Sequence, residues 1–369
     1  LGAERGDAPR ASILRVRVLD EQGIGTYSDV IEGIQFVVAN KDRFGVRVLN
    51  LSLSANATVP YFADPLNRAA EGAWASGIVV LAAAGNLGPA AETITVPGND
   101  PYVITVGAID TQKTPDWADD LLAGWSSTGP TLDGFIKPDI VAPGAHVTSL
   151  LAGNDEKGRP PYLARAHPER RKHDRLFEMS GTSVSTAVAS GVVALMLQAH
   201  PGLDPDMVKC RLICWARPAI ADDGHPAYNM FQQGAGRLWA PGGVLGDAPE
   251  DCQAATGMDI EADLAHGWDL DGDGVPDEEE VAYHYHGAVN RALRWQRLPL
   301  LRQRPRRSRA RPRRCLAGGQ GVDRPQHVGR PRRNLARRRH RDRMGGRPGV
   351  GRRLVVGRRT ALGRDLVLG

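Results

Sequence analysis

Histidine is absent from the first 145 of the 369 residues, the first being His146. Chemistry that needs an imidazole as general base therefore finds none in that stretch. Long apolar runs are missing as well. Residues 188–197 form one of the longest, about half of the roughly 20 residues a bilayer-spanning helix needs, so no membrane span is expected. There are only four cysteines, Cys210, Cys214, Cys252 and Cys315, and none falls in a C-x-x-C pair of the kind that holds zinc. Cys210 and Cys214 lie four apart in a helical pattern, too far for a good mutual disulfide, and read as buried apolar residues. The chain opens on Leu1, with neither a basic n-region nor an apolar signal core, so a processed or shortened form is expected.

Lysine and glutamate vanish after residue 290, where 26 arginines face three aspartates and the one aromatic residue is Trp295. The preceding 290 residues are acidic, with 21 Lys and Arg against 39 Asp and Glu. An acidic body thus carries a basic tail whose Arg, Gly and Pro content cannot build a packed core. Such a segment would attract nucleic acid through phosphate contacts. Yet a composition without lysine or glutamate is also what GC-rich DNA yields in the wrong reading frame. Residues 291–369 are read as disordered or as a frameshift product, and nucleic acid is a partner only if the tail is genuine. The lack of aromatic stacking platforms points the same way.

What is present up to about residue 203 is an alternation of short β-branched runs with helical patterns, which makes the class α/β. Residues 13–19, 46–53, 77–83 and 102–108 read as central parallel strands, apolar enough to be covered on both faces. A helix is predicted over 28–40 with Ser28 as its N-cap, another over 65–75, and a buried one over 183–200. A further helix begins at Asp204 with Pro205 in its first turn. Residues 151–177, rich in charge and proline, read as a surface insertion.

The sharpest chemical signal is Met179-Ser180-Gly181-Thr182-Ser183, a turn of mostly small residues that delivers a serine into the first turn of a buried helix. Unpaired N–H groups and the positive end of the helix dipole there suit an oxyanion beside a nucleophile, although Ser183 could equally be a cap. Residues 82–88 end the third strand in glycines around Asn86, at the carboxyl edge where ligands gather in open α/β sheets. Together with Asn50-Leu51-Ser52-Leu53-Ser54 and the 137–144 block Lys-Pro-Asp-Ile-Val-Ala-Pro-Gly, these motifs resemble the subtilisin-like serine proteases from Ser12 to about Leu245.

The resemblance implies a three-layer fold with a mostly parallel central sheet whose N-terminal strands are missing. It makes Ser183 the acylating nucleophile and Asn86 the side-chain donor of the oxyanion hole. Ser52, Leu53 and Ser54 would pair with an extended protein or peptide substrate. Ala83, Ala84 and Gly85, with Val96, Pro97 and Gly98, would line the pocket for the side chain before the scissile bond. The family usually has glycine at Ser54 and proline at Ala187. Its Asp and His precede the serine in chain order, and here Asp7, Asp20 and Asp29 lack the expected apolar strand lead-in. His146, His167, His173 and His200 stand in segments away from that role. An upstream segment carrying both residues is expected to be missing, leaving the chain incompetent for turnover.

Asp269, Asp271, Asp273, Asp277 and Glu280, with glycine at the sixth position, match the spacing of a calcium-binding loop. A structural calcium is the expected cofactor, and with it an extracellular location. His284 and His286 lack a third ligand and read as exposed residues. The domain organisation expected is a peptidase domain over 1–246, an acidic linker with the calcium-type loop over 247–290, and the tail. The function expected is serine endopeptidase by an acyl-enzyme route. The alternative is a non-catalytic scaffold on a decayed protease domain, with a nucleic-acid-binding tail.

Overall fold

The computed structural model describes residues 6–266, except 21, 155–157, 174, 248–251 and 256–257, together with 353–355 and 366–368. Strands β1 (Leu14–Val16) and β2 (Ile24–Thr26) lead into helix α1 (Tyr27–Phe44). The cap of α1 is Thr26, not Ser28: Thr26 accepts from the Asp29 N–H while the Asp29 carboxylate accepts from the Thr26 N–H. This reciprocal box satisfies two orphan donors where a lone serine would satisfy one. Strand β3 (Val48–Leu51) follows, then α2 (Pro65–Ala75), capped by Asp64 with Pro65 at its start, and β4 (Val79–Ala83). Strands β5 (Ile104–Asp110), β6 (Leu121–Leu122) and β7 (Ile140–Pro143) complete the body of the sheet.

β3, β4, β5 and β7 pair in parallel in that order, with β6 antiparallel on β5. Every residue of β3 and β4 is buried. Successive side chains of a strand point to opposite faces, so both faces are covered, as expected of a parallel sheet.

The segment read as a surface insertion, residues 151–177, is flanked by strands and carries small elements of its own. β8 (Val147–Leu150), α3 (Tyr162–Ala166), β9 (Arg171–Lys172) and β10 (Leu176–Met179) form a three-stranded antiparallel sheet with one short helix. β10 runs directly into α4 (Thr182–Ala199), which lies against β3, β4, β5 and β7. By length and hydropathy α4 could cross a membrane. Its packing on four strands, with Ala189 and Val193 fully buried, marks it as a core helix. α5 (Pro205–Trp215) is capped by Asp204, and the short α6 (Met230–Gln233) and α7 (Ala240–Leu245) follow.

One further expectation needs correction. Cys210 is disulfide-bonded to Cys252, not an apolar filler, because its partner arrives from 42 residues downstream. After residue 246, α8 (Ile260–His266) packs on α2, and Asp263 accepts a 2.6 Å hydrogen bond from the Tyr102 hydroxyl. Within the tail, β11 (Arg353–Val355) pairs with β2, and β12 (Leu366–Leu368) runs antiparallel to both β1 and β3. β1 and β3 are parallel to each other and one strand apart, so β12 occupies the position between them and satisfies backbone groups there. The calcium-type loop, from Asp269 to Glu280, lies outside the described residues.

Candidate active site

Ser183 sits in the first turn of α4, whose N-cap is Gly181, so the serine is not the cap. It is 5% exposed, and its neighbour Thr182 is fully buried. The turn before it is pinned from β7: the Gly181 N–H donates to the Gly144 carbonyl at 2.9 Å, and the His146 N–H to Ser180 Oγ at 2.9 Å. A side chain at Gly144 would collide with Ser185 and with the Gly181 backbone. The Pro-Gly end of the 137–144 block is therefore what lets the nucleophile turn approach the sheet.

Asn86 faces this turn from the end of β4. Its Oδ1 accepts from the Thr182 N–H at 2.9 Å and from the Thr182 hydroxyl at 3.0 Å, while Thr182 Oγ1 accepts from the Gly85 N–H at 3.2 Å. These bonds commit the amide oxygen to the protein and leave Nδ2 as the end that can serve a ligand. Gly85 has φ +110°, and a Cβ there would meet Ser127 and Thr95 at 2.7 Å, so glycine is required. Sequence reasoning missed Thr182 as the group that orients Asn86. Its position directly before Ser183 was visible, but a partner 96 residues away was not.

Ser52 donates from Oγ to the Ser183 carbonyl at 2.9 Å, and Asn50 Nδ2 donates to Ser52 Oγ at 2.9 Å. Ser190 on α4 also donates to Asn50, at 3.3 Å, so the end of β3 is stitched to the nucleophile helix. Leu53 is buried and Ser54 half-buried. Just beyond them, Ala55 and Val96 exchange N–H···O bonds at 3.0 and 2.9 Å, which brings the 52–54 edge beside Val96, Pro97 and Gly98. The Thr95 N–H in turn bonds the Ala84 carbonyl at 3.0 Å, setting Ala83, Ala84 and Gly85 against the same loop. The residues expected to hold substrate thus come together around the Ser183–Asn86 pair.

Five of the carboxylates and histidines expected to lie away from catalysis, Asp20, Asp29, His146, His167 and His200, have other partners. Asp20 accepts from the Gln22 and Ile24 N–H groups, and Asp29 serves the α1 cap. His146 lies 3.4 Å from Glu178 and 3.9 Å from Asp110, His167 lies 3.5 Å from Glu169, and the His200 ring meets the Val244 carbonyl at 2.9 Å. Burial pushes the Glu178 carboxyl up, but hydrogen bonds from His146 and Lys113 and the Lys172 charge outweigh it and hold it below its usual range.

Behind the site lies a buried ionic cluster. Asp139 is 2.7 Å from the Lys137 ammonium and 3.3 Å from that of Lys209. Lys209 also donates to the carbonyls of Pro101, Tyr102 and Val103, and Lys137 to that of Val103. Burial pushes Asp139 up, yet the two ammonium groups prevail and its carboxyl stays below the ordinary value.

The profile of the subtilase family matches residues 3–236. The chain belongs to the subtilase family. This subtilase is 43% identical over 214 residues to serine protease AprX of Bacillus subtilis (strain 168), covering 56% of this chain and 47% of that protein. It is 32% identical over 209 residues to subtilisin DY of Bacillus licheniformis, covering 56% and 61%. It is 34% identical over 209 residues to subtilisin E of Bacillus subtilis (strain 168), covering 56% and 44%. The subtilase chain therefore spans about half the length of these relatives. Its class is the α/β subtilisin-like fold expected from the motifs.

Proposed function

We propose that this subtilase is a serine endopeptidase acting on protein or peptide substrates, with Ser183 as nucleophile. The observation that supports this most is the Asn86 amide, turned by Thr182 so that Nδ2 is left to bind an oxyanion beside the first turn of α4. In this reading the Ser183 hydroxyl adds to a peptide carbonyl, and the oxygen that gains charge is held by Asn86 Nδ2 and the Ser183 N–H. The amine then leaves, and water hydrolyses the acyl-enzyme. The edge 52–54 holds the substrate backbone, and the loops 83–85 and 96–98 receive the side chain before the bond cut. The rings of His146, His167 and His200 engage groups other than Ser183. In this reading the base for turnover comes from outside the described residues.

The test is labelling by a fluorophosphonate, together with cleavage of casein, by the protein expressed from its natural gene, with Ser183→Ala as control. Labelling and cleavage that both vanish in the variant support the assignment. Cleavage that survives in Ser183→Ala, or a natural protein that does neither, overturns it.

A further inference from the structure

The acidic body of the chain carries one strongly basic stretch. Residues 158–176 hold Arg159, Arg165, Arg170, Arg171, Lys172 and Arg175 against two acids, Glu169 and Asp174, whereas residues 1–290 as a whole have 21 Lys and Arg against 39 Asp and Glu. The stretch forms α3, the turn at Pro168–Arg170 and β9, and Arg165, Arg171, Lys172 and Arg175 are exposed. Glu169 meets His167 at 3.5 Å and Arg170 at 4.0 Å. Glu178 is shared by Lys113 at 3.3 Å, His146 at 3.4 Å and Lys172 at 3.6 Å. These two carboxylates thus serve five groups between them, and the surface keeps a positive surplus. The patch is also fastened to the nucleophile turn. β9 pairs with β10, with Lys172 opposite Leu176, and β10 ends at Met179. Lys172 is therefore about 10 Å along the sheet from Met179, three strand residues at about 3.3 Å each. The His146 N–H, one residue ahead of β8, donates to Ser180 Oγ and ties the other side of the same small sheet to that turn.

The order of the main strands gives the patch a direction. Along the carboxyl edge they run β3, β4, β5, β7. Residues 52–54 and 83–85, assigned to the substrate half before the scissile bond, stand at the ends of β3 and β4, while the nucleophile turn hangs from Gly144 just after β7. A peptide that crosses Ser183 from the β3 side toward the β7 side carries its second half onto the small basic sheet. We propose that the surface of α3 and β9 recognises acidic side chains two to four residues after the bond cut, in the half that leaves as the amine. This rests on Ser183 acting as the endopeptidase nucleophile, and it names the class of substrate. The occupant is a peptide because the patch continues the groove in which the peptide is held. Contacts this far from the reacting carbonyl are the same in ground and transition states, so they lower KM and leave kcat nearly unchanged. Exposed cations act through the field of the patch, which salt screens over a Debye length of about 10 Å at 0.1 M.

The experiment uses the protein expressed from its natural gene and three fluorogenic peptides, with the cut located by mass spectrometry. One peptide carries three glutamates after the scissile bond, one carries glutamines there, and one carries the glutamates before the bond. At low ionic strength the first should exceed the second about tenfold in kcat/KM, mostly through KM. The advantage should shrink to about threefold or less in about 0.5 M salt and in the double variant Arg165→Glu/Arg175→Glu. It should persist in Arg43→Glu, whose charge lies in the last turn of α1 near the amino end of β3. Fluorescence anisotropy of the labelled first peptide on the Ser183→Ala protein gives a readout without turnover, and the double variant should weaken that binding by a similar factor. Equal kcat/KM for glutamate and glutamine peptides, with cleavage that vanishes in Ser183→Ala, overturns this inference and leaves the endopeptidase reading standing. No Ser183-dependent cleavage of any peptide overturns both. The inference also fails if glutamates before the bond give the same advantage, if the double variant keeps it, or if Arg43→Glu loses it equally. Displacement of the labelled peptide by a single-stranded oligonucleotide far more readily than by the unlabelled peptide would assign the patch to nucleic acid and overturn the proposal.

Discussion

Replacing Asp139 by Asn removes one negative charge from between two ammonium groups, and the structure gives the size of the effect. Lys137 and Lys209 are each 1% exposed, and Asp139 is 9% exposed. The carboxylate lies 2.7 and 3.3 Å from the two nitrogens, and it also accepts from the Thr105 N–H at 2.8 Å. Asparagine can keep the Thr105 bond through its carbonyl oxygen, so the backbone junction of β5 and β7 should survive. It cannot neutralise either lysine, and the carboxylate nearest to both is lost, although Asp100 still acts on Lys137. Breaking a buried pair from one side costs about 3–5 kcal/mol, because the charge left behind is uncompensated. Domain stabilities are about 5–15 kcal/mol, so from about a fifth to the whole of the total is at stake. The assay is urea unfolding at pH 7.5, followed by fluorescence. Asp139→Asn should lower the midpoint strongly with an unchanged slope, and Lys209→Met added to it should recover part of the loss. A loss under about 1 kcal/mol, or a double variant whose losses simply add, would show that the ammonium groups do not depend on Asp139 and refute the reasoning.

Asn86→Ala in the protein from its natural gene should lower kcat about 10²–10³-fold with little change in KM, a range set by loss of the equivalent donor in a subtilisin. Thr182→Val should cost about fivefold in kcat, one net hydrogen bond, because the Thr182 N–H still orients the amide. Steady-state kinetics on a peptide substrate checks both, and a change confined to KM would be the wrong outcome. Gly85→Ala should destabilise the chain by more than about 1 kcal/mol in the same urea assay, since φ +110° and the contacts with Thr95 and Ser127 both oppose a side chain. Acidity should act in two directions. Burial raises the Glu71 and Asp100 carboxyls and pushes Asp133 up to about 6. Above the ordinary carboxylate range the native state holds more protons than the unfolded chain, so their stabilising effect is complete below that range and is lost as pH rises through the raised native values, about 6 for Asp100 and Asp133. Asp139, held low, has the opposite sign: its contribution is full above the ordinary value and is lost only as pH falls through its lower native one. Unfolding free energy should therefore increase from pH 7.5 to 5 and collapse in stronger acid, and a monotonic fall from pH 7.5 downward would count against the buried acids.

What could be read from the sequence is what local pattern determines. The run Val-Val-Leu-Ala-Ala of β4 is apolar at every position because both of its faces are covered, and Pro65 and Pro205 mark helix starts because their missing N–H costs nothing there. The turn at 179–183 and the glycines around Asn86 were legible for the same reason, since each is a short-range demand on backbone geometry. The cap of α1 was misplaced by two residues, because serine and threonine compete for the role and only the reciprocal bond with Asp29 decides. The Cys210–Cys252 bond and the orientation of Asn86 were hidden, because each joins positions tens of residues apart whose approach depends on the finished sheet.

The lysine cluster shows why such long-range groups exist at all. The chain bends through residues 101–103 just before β5, where three successive carbonyls accept from Lys209. A buried carbonyl must be satisfied, and one ammonium carries three donors, so Lys209, reaching in from α5, serves all three at once. Its charge then needs Asp139, and Asp139 sits where β7 starts beside β5, with the Pro-Gly turn that admits Gly181 at the other end of that four-residue strand. The bend at 101–103 and the approach of the nucleophile turn are therefore anchored through the same short strand. A disturbance of the ionic cluster should be felt at Ser180 and Gly181 even though no residue of the cluster touches them.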